Sequence, residues 1–466
     1  MAVRDDGQIL ALSQQPYGVS HPQQGWAEQN PEDYWRGIVA TVTGCLRMCS
    51  RRRYTKEHVV SIALSTQGDT LIVTDSKGKP LLPAISWMDT RGQAEFEGLQ
   101  READASFWYG ETGSPPHAFS SAWTILWLRR NQPRSIEHGA RFCYVADYLA
   151  KRLCDRFGTD APSASWTPLF SPSKRDWSQP VLDLLGVRRE MLPDVLQSGE
   201  VIGELLPKVA KELGLLPETK LIAGAFDQAA AAHGAGARAD GRSVLSCGTA
   251  WVLYTVAPGA IVDPKMRLCS CCHTGAGENG LVLPFSGGST YDWLTKIIGD
   301  VRDEEPASNA DPLIFVPHLY GGLSPDWCAE SKGSLVGLTL AHTRADIRLA
   351  LMRGLGYEAR RNLEAAEELS GPVRSIRMVG GATNSRNWPQ LIANVLNRPI
   401  EVPEESESAC YGAAMLAAGS ASDSWIDSQQ ASRFEPMSGE VTMEQHLYSR
   451  YLCVYEAMKS LYELKG

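Results

Sequence analysis

The stretch LIAGAFDQAAAAHGAG, residues 221–236, places one carboxylate, Asp227, among residues that are nearly all small. Residues 221–225 form the short apolar run that a buried strand requires, and the alanines that follow favour a helix. Burying a charge is costly, so an acid at such a hand-over has a purpose. Two purposes fit. A carboxylate can cap the free N–H groups of a helix N-terminus, or it can serve as a base at a strand end, where open α/β sheets bind ligands.

The chain of 466 residues exceeds one ordinary core, so two or more domains are expected. Apolar residues make up 43% and charged residues 21%, as in soluble globular proteins. The net charge of −9 is spread along the sequence, which excludes general nucleic-acid affinity. Arg51-Arg52-Arg53 reads as a solvated helix end. No run approaches the roughly 18 apolar residues of a membrane helix. The first residues lack the pattern of a signal peptide, so a cytoplasmic location with no membrane partner is expected. Eleven cysteines in such a chain read as reduced thiols. The cluster from Cys269 to His273 is too crowded for a zinc site and reads as part of a strand, so no metal ligand is assigned.

Asp6-Gly7 is a hairpin turn with a strand expected after it, at 8–12, but only a stub before it. The sheet's first strand therefore reads as missing. In NPEDYW, Asn30 is an N-cap, Pro31 the first helical residue, and Glu32 and Asp33 first-turn acids, predicting a helix to about Arg47. Residues 59–65 read as a buried strand and residues 70–87 as a hairpin turning at Ser76-Lys77-Gly78. Helices are expected at 121–130, 145–153 and 179–185. A new apolar run begins at Ser243, which sets the expected domains at 1–242 and 243–466. In the second half, SVLSCGTAWVLYTV predicts a hairpin and a long helix is expected after Thr343. IRMVGGATNSRNWPQLIANVLNRPIEV predicts a strand, glycine turn, helix and strand, an α/β crossover unit. Helices at 411–418 and 443–464 close the chain.

No GxxxxGK[ST] or strand-borne GxGxxG occurs, which weighs against P-loop and dinucleotide sites, and no GxSxG elbow is present. Two glycine turns remain. CGTA, 247–250, can leave backbone N–H groups free for phosphate oxygens, or be only a turn. GGATNS, 380–385, lies between a strand and a helix N-terminus, where backbone approaches a ring or phosphate closely or a helix packs tightly on a strand.

Together these stretches resemble the FGGY carbohydrate kinases. GAFDQAAAAHGAG, the GTA of 248–250 and GGATNSRNWPQLIANVLNRPI carry the likeness. GWAEQNPEDYW (25–35), ALSTQGDTL (63–71), PAISWMDTR (83–91), DYLAKRL (147–153), LPDVLQSGEVIGEL (192–205) and FVPHLYG (315–321) extend it along nearly the whole chain in order. The resemblance implies a two-domain α/β protein with the sugar kinase, actin and Hsp70-like ATPase (ribonuclease H-like) fold. It implies ATP and Mg²⁺ as cofactors and phosphoryl transfer to a sugar or polyol hydroxyl, with a xylulose-like pentulose as the leading acceptor. By the same resemblance Asp227 is the base, and Gln228 contacts a substrate hydroxyl. Gln67, Gly68 and Asp69 form the sugar loop, where a buried Asp69 carboxylate would suit hydroxyl recognition. Trp87 lines the substrate pocket. Gly248 and Thr249 match the second phosphate motif, and Gly380, Gly381, Ala382 and Asn384 the adenosine motif. Such transfer needs little beyond in-line positioning, charge neutralisation and one base. A homodimer is an open expectation.

The resemblance also implies a first strand of the form DxGTTS, which binds phosphate and Mg²⁺, and nothing before Met1 supplies it. An in-frame extension upstream of Met1 is the expectation; a shortened, catalytically impaired homologue that binds sugar or nucleotide is the alternative. Gly322-Leu323-Ser324 and Arg353-Gly354 depart from the family's usual residues as well. An actin-like scaffold would have no need of Asp227 beside a sugar loop.

Overall fold

The computed structural model describes residues 1–99, 104–117, 119–136, 139–239, 241–299, 308, 310–385, 387–404, 407–422 and 424–463. Two sheets organise the chain. In the first half, Lys220–Phe226 lies between Val201–Glu204, antiparallel to it, and Ser61–Thr66, parallel to it. Six of the seven residues of Lys220–Phe226 are buried, as its apolar run predicts. The helix Pro31–Ser50 starts as read: the Asn30 side chain accepts from the Glu32 N–H at 3.1 Å. Ala2–Val3 pairs antiparallel with Ile9–Ala11 across a turn at Gly7, whose φ is +85°.

The expected hairpin at 70–87 forms only in part. Isolated bridges join Leu71 to Ile85 and Thr74 to Pro80. Its arms otherwise pair elsewhere, Ile72–Thr74 with Arg141–Cys143 and Ala84–Ile85 with Glu28–Gln29. Pro80 and Pro83 cannot donate to a ladder, which leaves the second arm free to seek another partner.

The second half holds a seven-stranded sheet in the order Cys269–Cys272, Asn279–Phe285, Trp251–Ala257, Arg242–Cys247, Ser375–Gly380, Ile400–Pro403, Ala431–Phe434. The crossover unit makes the Ser375–Gly380 and Ile400–Pro403 strands parallel, with Trp388–Leu396 as its helix. The long helix Arg344–Ser370 begins with a capping box between Thr343 and Asp346. Cys269–Cys272 is a fully buried strand.

The two halves meet at a pair of helices. Asp227–Gly234 packs against Ser408–Ala418, and neither has room for a side chain at the crossing. A Cβ at Gly412 would collide with the Ala230 carbonyl oxygen, and one at Gly234 with the Ser408 carbonyl oxygen. Ser408–Ala418 also lies on the Ser61–Thr66 strand, where Ser61 Oγ donates to the Ala417 carbonyl at 2.9 Å. One apolar cluster, including Phe226, Ala229, Val244, Tyr254, Val379 and Leu416, joins both halves. No helix among the described residues is long and apolar enough to cross a membrane. Gly412→Ala forces these backbones apart; a loss of about 1–3 kcal/mol is expected, read as a lowered denaturation midpoint.

Candidate active site

Asp227 is the first residue of its helix, delivered by a strand that must lie close to its neighbour. A Cβ at Gly224 would collide with the Leu64 carbonyl oxygen, so only glycine lets the two parallel strands approach before Phe226 turns the chain. The Asp227 carboxylate is open to solvent, and Oδ1 accepts from the Gln228 N–H at 2.7 Å. Surrounding protein raises its pKa, burial outweighing the opposing hydrogen bond from Gln228. Gln228 places its side-chain oxygen in a buried position with no partner. That acceptor, one residue from the carboxylate, suits a hydroxyl donor.

Gln67 Nε2 donates to Gln29 Oε1 at 2.7 Å and to Thr70 Oγ1 at 2.8 Å. Gln29 also accepts from the Tyr34 hydroxyl at 2.7 Å, and the Tyr34 ring meets Tyr17 edge-on at 5.3 Å. Tyr17 is exposed; its phenol pKa is raised by burial and then by the Asp227 charge. Trp87 is also exposed, its backbone N–H donating to Thr70 Oγ1 at 3.3 Å. Tyr17 lies in no stretch singled out from the sequence, and Tyr34, within GWAEQNPEDYW, is not read there as a site residue; folding brings both to the sugar loop.

Asp69 points inward. Its φ of +50° turns the side chain under the loop, where Oδ2 accepts from the Ser121 N–H at 3.1 Å and Oδ1 from the Ser121 hydroxyl. Both oxygens are thus engaged at the N-terminus of the helix Ser121–Asn131. Burial pushes its pKa up to about 7, against the lowering effect of the Ser121 bonds.

The glycine turns converge at one edge of the large sheet. Cys247 pairs in parallel register with Gly380, and Trp251 faces Phe285, so three loops leave the sheet together. Gly288 N–H donates to the Gly248 carbonyl and Ser289 N–H to the Thr249 carbonyl, both at 3.0 Å. Gly380 has φ +97°, and a Cβ there would lie 2.7 Å from the Cys247 carbonyl oxygen. Ala382 is buried, whereas Gly381 and Asn384 are exposed in the short 3₁₀ turn Gly381–Asn384. The loop 286–290 escapes the sequence reading, though SGGST between a strand and a helix repeats the pattern of GGATNS. The buried Ser286 and Thr290 hydroxyls have no partner, so donors stand ready at the start of the helix Gly288–Ile298. Unladdered backbone, two orphaned hydroxyls and a helix N-terminus suit a polyphosphate and its nucleoside. No group of three His, Cys, Asp or Glu gathers among the described residues.

Residues 1–234 match the N-terminal domain of the FGGY family of carbohydrate kinases, and residues 285–421 its C-terminal domain. A gluconokinase of Bacillus subtilis is 27% identical over 440 residues, 88% of this chain and 83% of that one. A xylulose kinase of Escherichia coli is 27% identical over 424 residues, 89% and 86% of the two chains. The crystal structure of a "xyloylose kinase" from Brucella ovis superposes with a TM-score of 0.88 at 25% identity, covering 96% of this chain and 93% of that one.

Asp69 holds its proton more tightly folded than unfolded. Between the ordinary carboxylate value of about 4 and about 7 the native state binds the extra proton, so its contribution to stability falls as pH rises through that window. Asp69→Asn is expected to remove this slope, at most about 1.4 kcal/mol per pH unit, in denaturation midpoints measured from about pH 5 to about pH 7.

Proposed function

The chain belongs to the FGGY family of carbohydrate kinases, and on that footing we propose that it phosphorylates a hydroxyl of a neutral sugar, a xylulose-like pentulose, with Asp227 as general base. Kinases of this family use ATP, typically with Mg²⁺. The observation that carries the reading is the pairing of a solvent-open carboxylate with the unpartnered acceptor of Gln228 beside it.

Asp227 accepts the proton of the attacking hydroxyl, and its raised pKa makes it a better acceptor than an ordinary carboxylate. Gln228 takes a second hydroxyl as donor. Gln67 is held by Gln29 and Thr70, which presents the loop in one geometry, and Trp87 supplies an apolar wall. Asp69 works one step back, fixing the loop to Ser121. Tyr17, Gln67, Trp87 and Gln228 carry no positive charge, which favours a neutral acceptor over a sugar acid. Gly248, Thr249, Gly380, Gly381, Ala382 and Asn384, joined by the 286–290 loop, hold the nucleotide. Bound Mg²⁺ neutralises phosphate charge. The division at 1–242 and 243–466 assigns the sugar to the first domain and ATP to the second. Their closure would exclude water, which otherwise competes for the phosphoryl group.

Release of ADP against a panel of pentuloses, hexuloses and polyols tests the reading. Asp227→Asn is expected to lower kcat by about 10²–10⁴ with sugar binding retained; unchanged turnover would refute the assigned base. The acid limb of the kcat/KM profile should fall as pH drops through the Asp227 pKa, raised from its ordinary value by burial, because only the ionised form accepts a proton. Gly380→Ala, strained by its positive φ and its contact with Cys247, is expected to raise the KM for ATP and leave sugar affinity unchanged.

A further inference from the structure

The helix that begins with Asp227 has no side-chain cap. Phe226 stands at the cap position, and a phenyl ring offers no oxygen to accept from the N–H groups of the first turn. Packing fixes the hand-over from strand to helix instead. The Phe226 ring is 1% exposed and lies nearly flat on the Trp166 ring, with centroids 4.8 Å apart and planes 16° from parallel. A stacked contact of this kind restrains the tilt of both rings.

Trp166 follows the short helix Ala161–Ser165, and that helix is pinned at both ends. At its start Asp160 accepts from the Ser163 N–H at 2.6 Å and from the Ser163 hydroxyl at 2.8 Å. At its end the Trp166 N–H donates to the Pro162 carbonyl at 3.2 Å, and Thr167 Oγ1 to the Ala164 carbonyl at 2.7 Å. Ser165 Oγ accepts from the Cys272 N–H at 2.8 Å, which ties the segment to the edge strand of the large sheet. The indole is therefore mounted on a support shared by both halves of the chain.

The same ring bears on the sugar loop. Phe226 pairs with Thr66 in the parallel ladder, and Gln67 and Gly68 follow Thr66 directly. A Cβ at Gly68 would collide with Trp166 Cδ1, so the loop backbone rests against the indole. One side chain thus touches the residue before Asp227 and the middle of the 67–69 loop.

We propose that Trp166 is a positioning residue for the transfer, its ring setting the direction in which Phe226 delivers Asp227 relative to the 67–69 loop. The inference rests on the kinase reading of Asp227 and adds the residue that aims it. Trp166 acts through Phe226 and Gly68 and takes no part in the proton transfer. Its leverage is geometric: a misplacement of about 1 Å between reacting groups can cost on the order of 10²-fold in rate.

The test measures ADP release with ATP and the fastest sugar of the panel, D-xylulose on the reading above. It compares the full chain with its Trp166→Ala, Trp166→Leu and Trp166→Phe variants, each made also in the Asp227→Asn protein. Trp166→Ala should lower kcat about 10-fold or more and leave the KM for ATP unchanged. Trp166→Phe keeps a flat face and should recover most of that loss, whereas Trp166→Leu keeps apolar bulk alone and should not. Should Trp166→Ala fail to fold, the contrast between Trp166→Phe and Trp166→Leu carries the same decision. In the Asp227→Asn protein the Trp166→Ala loss should shrink by about threefold or more, the order of a coupling between residues that act together. A role in packing alone would cost the same factor in both. Unchanged kcat in Trp166→Ala, equal recovery by Trp166→Phe and Trp166→Leu, or equal factors in the two backgrounds would each overturn the proposal and leave Asp227 as base. Unchanged turnover in Asp227→Asn by itself would refute the base, and the proposal with it.

Discussion

The backbone contact between Gly234 and Gly412 sets the spacing of everything chemical in this chain. The helix that begins with Asp227 ends at this crossing, and its partner Ser408–Ala418 belongs to the half that carries the nucleotide loops. The same partner helix lies on the Ser61–Thr66 strand, one residue short of the sugar loop at Gln67. A side chain at either glycine would displace Asp227 from the loops of both halves at once. Small residues through the Asp227–Gly234 helix thus serve close approach more than helix propensity: Ala229, Ala230 and Ala232 are all buried in a cluster shared by both halves.

Asp227 sits under opposed influences, and their balance is what suits it to the proposed role of base. A helix N-terminus and the Gln228 N–H favour the ionised form, while the protein mass around the cleft disfavours it. Were the first influence dominant, the carboxylate would be too weak a base to attract a hydroxyl proton. Were the second much larger, it would be protonated and useless near neutral pH. Asp69 illustrates the other regime. It is fully enclosed and pushed up to about 7, and it spends both oxygens on Ser121. The two acids are driven apart in role by burial and by the hydrogen bonds each accepts.

Much of the fold was legible because local chemistry marks element ends. Asn30 and Pro31 begin a helix where they should, and Thr343 with Asp346 begins another. The 70–87 hairpin misled because its turn at Gly78 is real, whereas its prolines leave the second arm to pair with another strand. The crossing at Gly234 and Gly412 was invisible: these glycines are 178 positions apart in the numbering and neither lies in a turn. Nothing local distinguishes a glycine needed for helix contact from one that merely tolerates it.

The two halves of the candidate site differed in legibility for a related reason. A nucleotide held mainly by backbone, as proposed, shows as glycine at strand ends, at 248, 287–288 and 380–381 alike. A side chain at Gly287, Gly288 or Gly380 would collide with neighbouring backbone, and glycine is how the sequence writes such a close approach. The proposed sugar site is instead built of side chains whose direction depends on backbone angles that residue type does not reveal. Asp69 at φ +50° turns inward, while Trp87 and Tyr17, from separate loops, are left exposed at the opening. Recognition by backbone is therefore readable as composition, whereas recognition by side chains becomes readable only when the fold has aimed them.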